Sequence, residues 1–283
     1  MINRNFLPLT ISFIIWSSWL IPVRILGETA ITISFFTTLF AAFFWGAVLL
    51  KKGRNGKLKS IKIGALLLLS LFFVANMLTY LGSLKYTDVA IAVLTHYTAP
   101  IFVAFFAPIF LKEKITMDKI IALVLSLVGF VIIFLKKPTI SDTFWLGTLL
   151  GLSSGLFYAI IIVVAKMVLQ NTDRYALLFF QNLFGSILLL FLFPYINFTA
   201  PLKTYLLLLF LSFLYSVVAS YFYVTSLSKV EGTKVAIIGY LEPVGAIFWG
   251  WIFFNESITI KTLAGAFLIL YSGYRIASAN NIN

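Results

Sequence analysis

The chain has 283 residues, of which 61% are hydrophobic and only 11% are charged. A soluble domain has about 25% charged residues, so too few polar side chains remain here to cover a water-soluble surface of this size. The chain also contains no cysteine, which excludes disulfides, thiolate metal sites and a cysteine nucleophile. The composition therefore excludes a soluble enzyme, a disordered chain and a secreted disulfide scaffold, and it predicts an integral membrane protein.

Ten segments are apolar and long enough to cross a bilayer, for which a helix needs about 20 residues. They are 6–23, 31–50, 61–83, 88–111, 118–135, 143–165, 175–193, 203–226, 233–254 and 260–277. Polar breaks separate them, such as the basic loop 51–57 and the sequence Lys136-Lys137-Pro138. The predicted fold class is an all-α polytopic membrane protein with ten transmembrane helices.

The formal net charge is +12, and the basic residues are unevenly placed. With the N-terminus inside, 15 of the 21 lysines and arginines fall on the inner side, and the region 51–62 supplies six of them. Cytoplasmic loops carry such an excess, so both termini are predicted to be cytoplasmic in a multi-pass protein of the inner membrane. No basic stretch alternates with aromatic residues as a nucleic-acid site would. The expected partners are the lipid bilayer and a small molecule.

The two halves of the chain resemble each other at a shift of 143 residues. Between Tyr80–Val128 and Tyr223–Tyr271, 13 of 49 positions are identical, including paired Tyr, Pro, Glu and Thr. This predicts two five-helix repeats, residues 1–138 and 139–283. Because five is odd, the second repeat must enter the membrane from the opposite side. Inverted repeats around a central site are typical of transporters that work by alternating access.

Three stretches resemble a known family. The first runs from Ala99-Pro100 to Lys112-Glu113-Lys114-Ile115-Thr116, and the second from Glu242-Pro243 to Asn255-Glu256-Ser257-Ile258-Thr259; the third is Trp16-Ser17-Ser18-Trp19. With the ten segments, they are similar to the EamA branch of the drug/metabolite transporter superfamily. Many members carry an arginine early in the second helix, where this chain has Thr37 and Thr38, so no role of that arginine is carried over.

The resemblance implies a secondary transporter of small polar metabolites, with export of amino acids or related compounds as the first expectation. An uptake permease for a cationic amine such as choline is the alternative within transport. A membrane channel or enzyme is the alternative of another class. No cofactor, metal or catalytic residue is expected, because the sequence lacks HExxH, GxSxG and phosphate-binding glycine motifs. Coupling to protons and a homodimer are both left open.

Two ionisable residues at mid-span are the first candidates for the site. Glu242 lies near the middle of the ninth segment, where a carboxylate costs about 2.5–3.5 kcal/mol, and it suits an ammonium or a proton. His96 lies in the fourth segment, within one helical turn of the position equivalent to Glu242. If the fourth and ninth helices meet, the two groups form a charged pair; alternatively each stays neutral and bonds locally.

Aromatic and amide residues complete the candidate site. Aromatic faces attract ammonium groups, and mid-span amides suit a substrate or a helix contact. The candidates are Tyr97, Tyr240, Tyr80, Tyr223, Trp16, Trp19, Tyr158 and Asn76.

Pro100 and Pro243 are expected to kink the fourth and ninth helices, because proline removes a backbone hydrogen bond. Glu113 and Glu256 are expected near the positive N-terminus of the helix that follows each, with Thr116 and Thr259 as N-caps.

Overall fold

The computed structural model describes residues 4–52, 63–134, 142–255 and 257–278. These residues form helices, turns and connecting segments, with no strand among them. Three predicted features lie at least partly outside the described residues: the basic region 51–62, of which 53–62 are not described, the proposed boundary between the halves at 138/139, and Glu256. The fold therefore confirms an all-helical chain over the described ranges.

Fourteen α-helices occupy the described residues. They are α1 (Phe6–Ser17), α2 (Leu20–Leu26), α3 (Ala30–Lys52), α4 (Ile63–Tyr86), α5 (Val89–His96), α6 (Ala99–Phe106), α7 (Met117–Phe134), α8 (Phe144–Leu169), α9 (Arg174–Leu190), α10 (Leu202–Leu211), α11 (Ser220–Leu227), α12 (Gly232–Ile238), α13 (Leu241–Phe254) and α14 (Ile260–Ser278). Two π-helical stretches, Ala107–Leu111 and Ser212–Ala219, continue α6 and join α10 to α11. A short 3-10 turn, Phe193–Tyr195, follows α9.

Each of the ten predicted segments coincides with one helix or with consecutive helices. In the described part of the chain, seven helical stretches are long and apolar enough to cross a membrane, some of them made of consecutive helices: Ala30–Lys51, Ile63–Tyr86, Val89–Leu111, Met117–Phe134, Phe144–Leu169, Leu202–Leu227 and Gly232–Phe254. Phe6–Ser17 and Arg174–Leu190 are shorter apolar helices. The structure thus supports a chain that crosses the bilayer several times.

Three segments are broken into two helices rather than gently kinked. The fourth breaks between α5 and α6, the ninth between α12 and α13, and the first between α1 and α2. In each case a proline follows in the first turn of the second helix, where its missing amide and fixed φ are tolerated: Pro100, Pro243 and Pro22. The break in the first segment was not predicted, although Pro22 was the available signal.

The most extensive helix contacts join the two halves of the chain. Helix α4 packs on α8, α7 on α14, and α3 on α9. Helices α5 and α6 also lie on α8, while α1 lies on α11 and α13. The halves are therefore interleaved around a shared interior, and the residues that line it come from both.

Helices α7 and α14 cross with their backbones in direct contact. Gly129 and Gly265 face each other so closely that a Cβ at either position would overlap the carbonyl oxygen of the other. Next to this crossing, the Ser272 hydroxyl donates a 2.7 Å hydrogen bond to the Ala122 carbonyl. Small residues permit such close approach in membranes, where helix association depends on packing and hydrogen bonds.

A methyl group at this crossing should separate the two helices. For Gly265→Ala we expect destabilisation of about 1–3 kcal/mol, the usual cost of overpacking, seen as a lower thermal unfolding midpoint of the purified protein. Gly273→Ala in the same helix is the matched control, because a Cβ there would have no neighbour within 4 Å. An equal midpoint for the two variants would contradict the crossing.

Candidate functional site

Glu242 lies at the break of the ninth segment. It is the second residue of α13 and falls in that helix's first turn, where the positive end of the helix dipole stabilises a carboxylate. Its side chain is only half-buried although it lies in the middle of a membrane segment. The sequence therefore places an acid where the interior of the protein is accessible.

Four tyrosines lie near this carboxyl group. Tyr80, Tyr97, Tyr158 and Tyr223 all lie within electrostatic range of Glu242, and the Tyr97 hydroxyl interacts directly with the carboxyl group. They come from α4, from the break after α5, from α8 and from α11. Four of the tyrosines predicted for the site thus meet around the predicted acid, contributed by four different segments. We call this group the tyrosine cage.

His96 occupies the same space. Its ring centroid lies 4.5 Å from that of Tyr80 and 5.1 Å from that of Tyr97. It stacks on Tyr158 at 5.4 Å with an interplanar angle of 8°. Tyr80, Tyr97 and Tyr158 therefore contact the histidine ring and also lie within electrostatic range of Glu242. The two ionisable groups thus belong to one site.

Asn76 reaches the site through Ser154, a residue that sequence reasoning missed. The Asn76 side-chain nitrogen donates to the Ser154 carbonyl at 2.8 Å and lies 3.1 Å from its hydroxyl oxygen. The same hydroxyl lies 2.6 Å from His96 Nδ1. Ser154 is completely buried, so this polar chain is part of the interior.

Glycines of α8 allow the broken fourth segment to approach. Gly147, Gly151 and Gly155 recur every four residues on one face, and Cβ atoms there would overlap Thr87, Thr95 and the backbone at His96 respectively. A stripe of small residues at this spacing is typical of close membrane helix contacts. It was the sequence signal that could have drawn attention to Ser154.

One hydroxyl group of the cage has no protein partner. Among the described residues, Tyr223 Oη is buried without any hydrogen bond. Trp16 lies against the Tyr223 ring, 5.0 Å away, while its indole N–H donates to the Tyr215 carbonyl at 3.1 Å. A buried polar group without a partner costs free energy, and a bound polar ligand would supply the missing bond.

Two predicted aromatic residues, Trp19 and Tyr240, show no interaction with Glu242 or His96 within the described residues. Trp19 contacts Tyr215 and packs on the cluster around Phe35 and Leu189. Tyr240 is fully buried between Tyr97 and Phe130, and its hydroxyl donates a 2.9 Å hydrogen bond to the Tyr97 carbonyl. Tyr97 and Tyr240 are 143 residues apart, so the fourth and ninth segments meet at equivalent positions of the two halves.

The comparisons agree with this architecture. The profile of the EamA-like transporter family matches residues 6–135 and again residues 145–276. The chain belongs to the EamA-like transporter family.

Its relatives are transporters. An uncharacterized transporter of Archaeoglobus fulgidus is 27% identical over 205 residues, covering 72% of this chain and 73% of that protein. The uncharacterized transporter YoaV of Bacillus subtilis is 29% identical over 204 residues, covering 68% and 69%. Solute carrier family 35 member F5 of Mus musculus is 30% identical over 147 residues, covering 49% of this chain and 28% of that protein.

A solved crystal structure shares the fold. It superposes with a TM-score of 0.84 over 98% of this chain and 97% of the other, at 13% identity. This EamA-like protein is therefore a multi-pass membrane transporter.

A second polar cluster of the transporter lies at the end of the helices where the fourth and fifth segments connect. Lys119 and Lys234 both pair with Glu231, at 2.7 Å and 3.2 Å, and both lysines are buried. Lys166 donates to the Leu227 and Val230 carbonyls at the end of α11. We call these residues, with Glu113, the end cluster.

Glu113 caps a different helix from the one expected. Its carboxylate accepts hydrogen bonds from the Gly232 amide at 2.5 Å, and from the Thr233 amide and hydroxyl at 3.0 Å and 2.9 Å. It therefore satisfies the N-terminus of α12, in the other half of the chain, rather than that of α7, which follows it in sequence. The predicted N-caps hold: Thr116 and Thr259 accept from the Lys119 and Thr262 amides.

Glu231 makes the stability of this cluster depend on pH. Burial raises the pKa of its carboxyl group, but the hydrogen bond and charge of Lys119, with the charge of Lys234, outweigh burial and hold the pKa below its ordinary value. Because the pKa is lower in the folded protein, the carboxylate stabilises the fold above the unfolded-state pKa of about 4.3. That contribution is lost as pH falls through the lower folded-state value.

We therefore expect Glu231→Gln to lower the thermal unfolding midpoint at pH 7, and the difference from the parent to vanish below about pH 4. The midpoints of the purified proteins, measured across this range, test the expectation. Asp118→Asn is the control, because Asp118 pairs with Arg275 on the exposed surface, where ion pairs contribute little. A difference independent of pH would contradict the assignment.

Proposed function

We propose that the chain is a secondary transporter that exports small ammonium-bearing metabolites, amino acids or related compounds, across the cytoplasmic membrane by alternating access. The observation that carries the proposal is the acid Glu242 in the middle of an apolar segment, where the Tyr97 hydroxyl bonds its carboxyl group within the tyrosine cage. The direction of transport follows from the resemblance to a branch rich in amino acid exporters.

The chemistry of the cage suits an ammonium group. A carboxylate at mid-membrane costs about 2.5–3.5 kcal/mol, and the first turn of α13 offsets only about 0.3–1 kcal/mol of it. A substrate ammonium would neutralise the remaining charge, and tyrosine faces would add up to about 2 kcal/mol of cation–π attraction. The buried Tyr223 hydroxyl, which has no partner among the described residues, would gain a hydrogen bond from the same ligand.

Several pairs of equivalent features support two inverted five-helix repeats with ten membrane helices. The contact of α4 with α8 has its counterpart in that of α11 with α1, and the contact of α6 with α8 corresponds to that of α13 with α1. Lys112 and Asn255, again 143 residues apart, both adopt the left-handed conformation at a helix end. The family profile also matches the chain twice, close to the proposed halves 1–138 and 139–283.

The two halves differ in how tightly they enclose the broken helices, as a transporter open to one side requires. All seven residues of α12 are buried, whereas Ala92 is the one buried residue of its counterpart α5. The end cluster holds α12 closed. Two of its lysines have no equivalents in the other half, since Lys119 and Lys234 correspond to Thr262 and Ile91. The distribution of basic residues supports a cytoplasmic position for this closed end.

Uptake of a cationic amine such as choline is the second candidate. Its support is the number of tyrosine faces around Glu242, because aromatic cages are a common way of binding quaternary ammonium ions. A zwitterionic amino acid and choline differ in whether a carboxylate accompanies the cation. Flux of both compounds, measured in each direction across liposomes, separates the two candidates.

Glu242→Gln keeps the shape of the side chain and removes its charge, so we expect transport to fall at least tenfold while the protein still purifies folded. Flux of amino acids and amines in liposomes is the measurement. Glu28→Gln is the matched control: Glu28 is a half-buried acid that accepts a hydrogen bond from Asn197 at a helix end, away from the cage. Unchanged flux in Glu242→Gln would refute the proposed site, and a steady conductance in planar bilayers would favour a channel instead.

Breaking the end cluster should open the closed side. The natural chain has no cysteine, so a single introduced cysteine reports on accessibility. We expect maleimide to label Ala236→Cys on α12 slowly in the parent background and several-fold faster when Lys119→Gln is added. Val93→Cys, at the equivalent position of α5, should change in the opposite direction.

Asp118→Asn again provides the control, since it removes a surface ion pair from the same helix. If Lys119→Gln accelerated labelling at both cysteines, the helix bundle would simply be looser. If it changed neither, the end cluster would not hold the transporter closed.

A further inference from the structure

The hydrogen bonds around Ser154 determine which nitrogen of His96 carries a proton. Ser154 Oγ has two neighbours in the described part of the chain, Asn76 Nδ2 at 3.1 Å and His96 Nδ1 at 2.6 Å. An amide nitrogen can only donate, so the serine oxygen is the acceptor of that bond. The hydroxyl then has one proton left to place.

That proton points to the histidine. Many buried serines of this chain donate to the carbonyl one turn back, as Ser70 and Ser126 do. Ser154 makes no such bond among the described residues, so its proton is directed along the 2.6 Å contact to His96 Nδ1. A nitrogen that accepts this bond is unprotonated, and the neutral ring then carries its hydrogen on Nε2.

The Nε2–H group remains for a ligand. The ring lies between Tyr80 and Tyr158, and Tyr97 meets it edge-on. Within the described residues Nε2 has no hydrogen-bond partner, and the side chain is half-buried. The one hydrogen bond of the ring within the described residues is made at Nδ1, and the free donor belongs to the site that contains Glu242.

We infer that Asn76 and Ser154 are positioning residues that hold His96 as a neutral Nε2–H donor, and that this donor binds an acceptor oxygen of the substrate, such as a carboxylate. The inference rests on the proposed function for the location of the ammonium subsite at Glu242. The two subsites together select a molecule that carries an ammonium group and an acceptor oxygen. A charged His96–Glu242 pair is not part of this arrangement.

The chain contains a single histidine, so ¹⁵N-histidine labelling gives a spectrum of His96 alone. In the purified parent near neutral pH we expect the neutral tautomer protonated at Nε2. Ser154→Ala should lose this preference and give a mixture of tautomers. Ser153→Ala is the matched control, because no hydrogen bond joins this neighbouring serine to the ring in the described part of the chain, and it should keep the parent spectrum.

Asn76→Asp tests the direction of the hydrogen bonds that link residue 76, Ser154 and His96, because the substitution keeps the size of the side chain. An ionised aspartate can only accept, so at a pH where this carboxyl group is ionised the Ser154 proton turns towards it and the serine oxygen accepts from the histidine instead. We expect Nδ1 to become protonated in this variant. An Nδ1–H tautomer or an imidazolium in the parent, or an unchanged spectrum in Asn76→Asp, would overturn the inference.

The substrate side is tested with L-leucine and isoamylamine, which share a side chain and an ammonium group and differ by the carboxylate. Ser154→Ala should raise the L-leucine concentration for half-maximal flux at least tenfold and leave that of isoamylamine within twofold. Equal losses for both would overturn the assignment of the carboxylate to His96. The spectra do not depend on transport, so failure of Glu242→Gln to reduce flux would refute the proposed function separately.

Discussion

A helix that breaks inside a membrane exposes backbone groups that lipid cannot satisfy, and this constraint governs the structure of the transporter. Two irregular segments receive a donor from the opposite half. The Tyr240 hydroxyl, at the break of the ninth segment, donates to the Tyr97 carbonyl at the break of the fourth. The Trp16 indole, in the broken first segment, donates to the Tyr215 carbonyl in the π-helical stretch of the eighth. Irregular segments of the two halves are therefore bonded to each other.

The candidate site lies where these irregular segments of the two halves meet. Glu242 starts the second helix of one broken segment, and His96 ends the first helix of another. Helix α8 supplies the surface on which they meet, because its glycines admit the fourth segment while Ser154 and Tyr158 reach the histidine. The same geometry that satisfies the backbone thus brings an acid, a histidine and four tyrosines together.

The end cluster is governed by a similar constraint, because its buried charged groups also need partners. A buried ion pair is costly to form and more costly to leave half-made, so the lysines around Glu231 and the carboxylate that caps α12 hold the two halves together only while all partners are in place. Such an arrangement breaks as a unit. Lys119 and Lys234 are absent from the equivalent positions of the other half, which hold Thr262 and Ile91.

The sequence by itself determined the membrane class, the positions of the ten apolar segments, the internal similarity and the family. These depend on composition, hydrophobic length and local spacing. It also singled out Glu242, His96 and the tyrosines, because polar groups are rare and costly in apolar segments.

Only the tertiary structure decided which of these residues meet. In the sequence, Trp19 and Tyr240 are the same kind of candidate as Trp16 and Tyr223, because all four are aromatic residues in apolar segments. In the structure, Trp19 and Tyr240 pack in hydrophobic clusters instead. Glu113 caps a helix 119 residues away rather than the next one, and Ser154 gains its role from two side chains of the other half. The sequence pattern shows the chemistry of each segment. Which segments pair across the two halves depends on close packing at glycines, and on the backbone groups at each break that need hydrogen-bond partners from elsewhere in the protein.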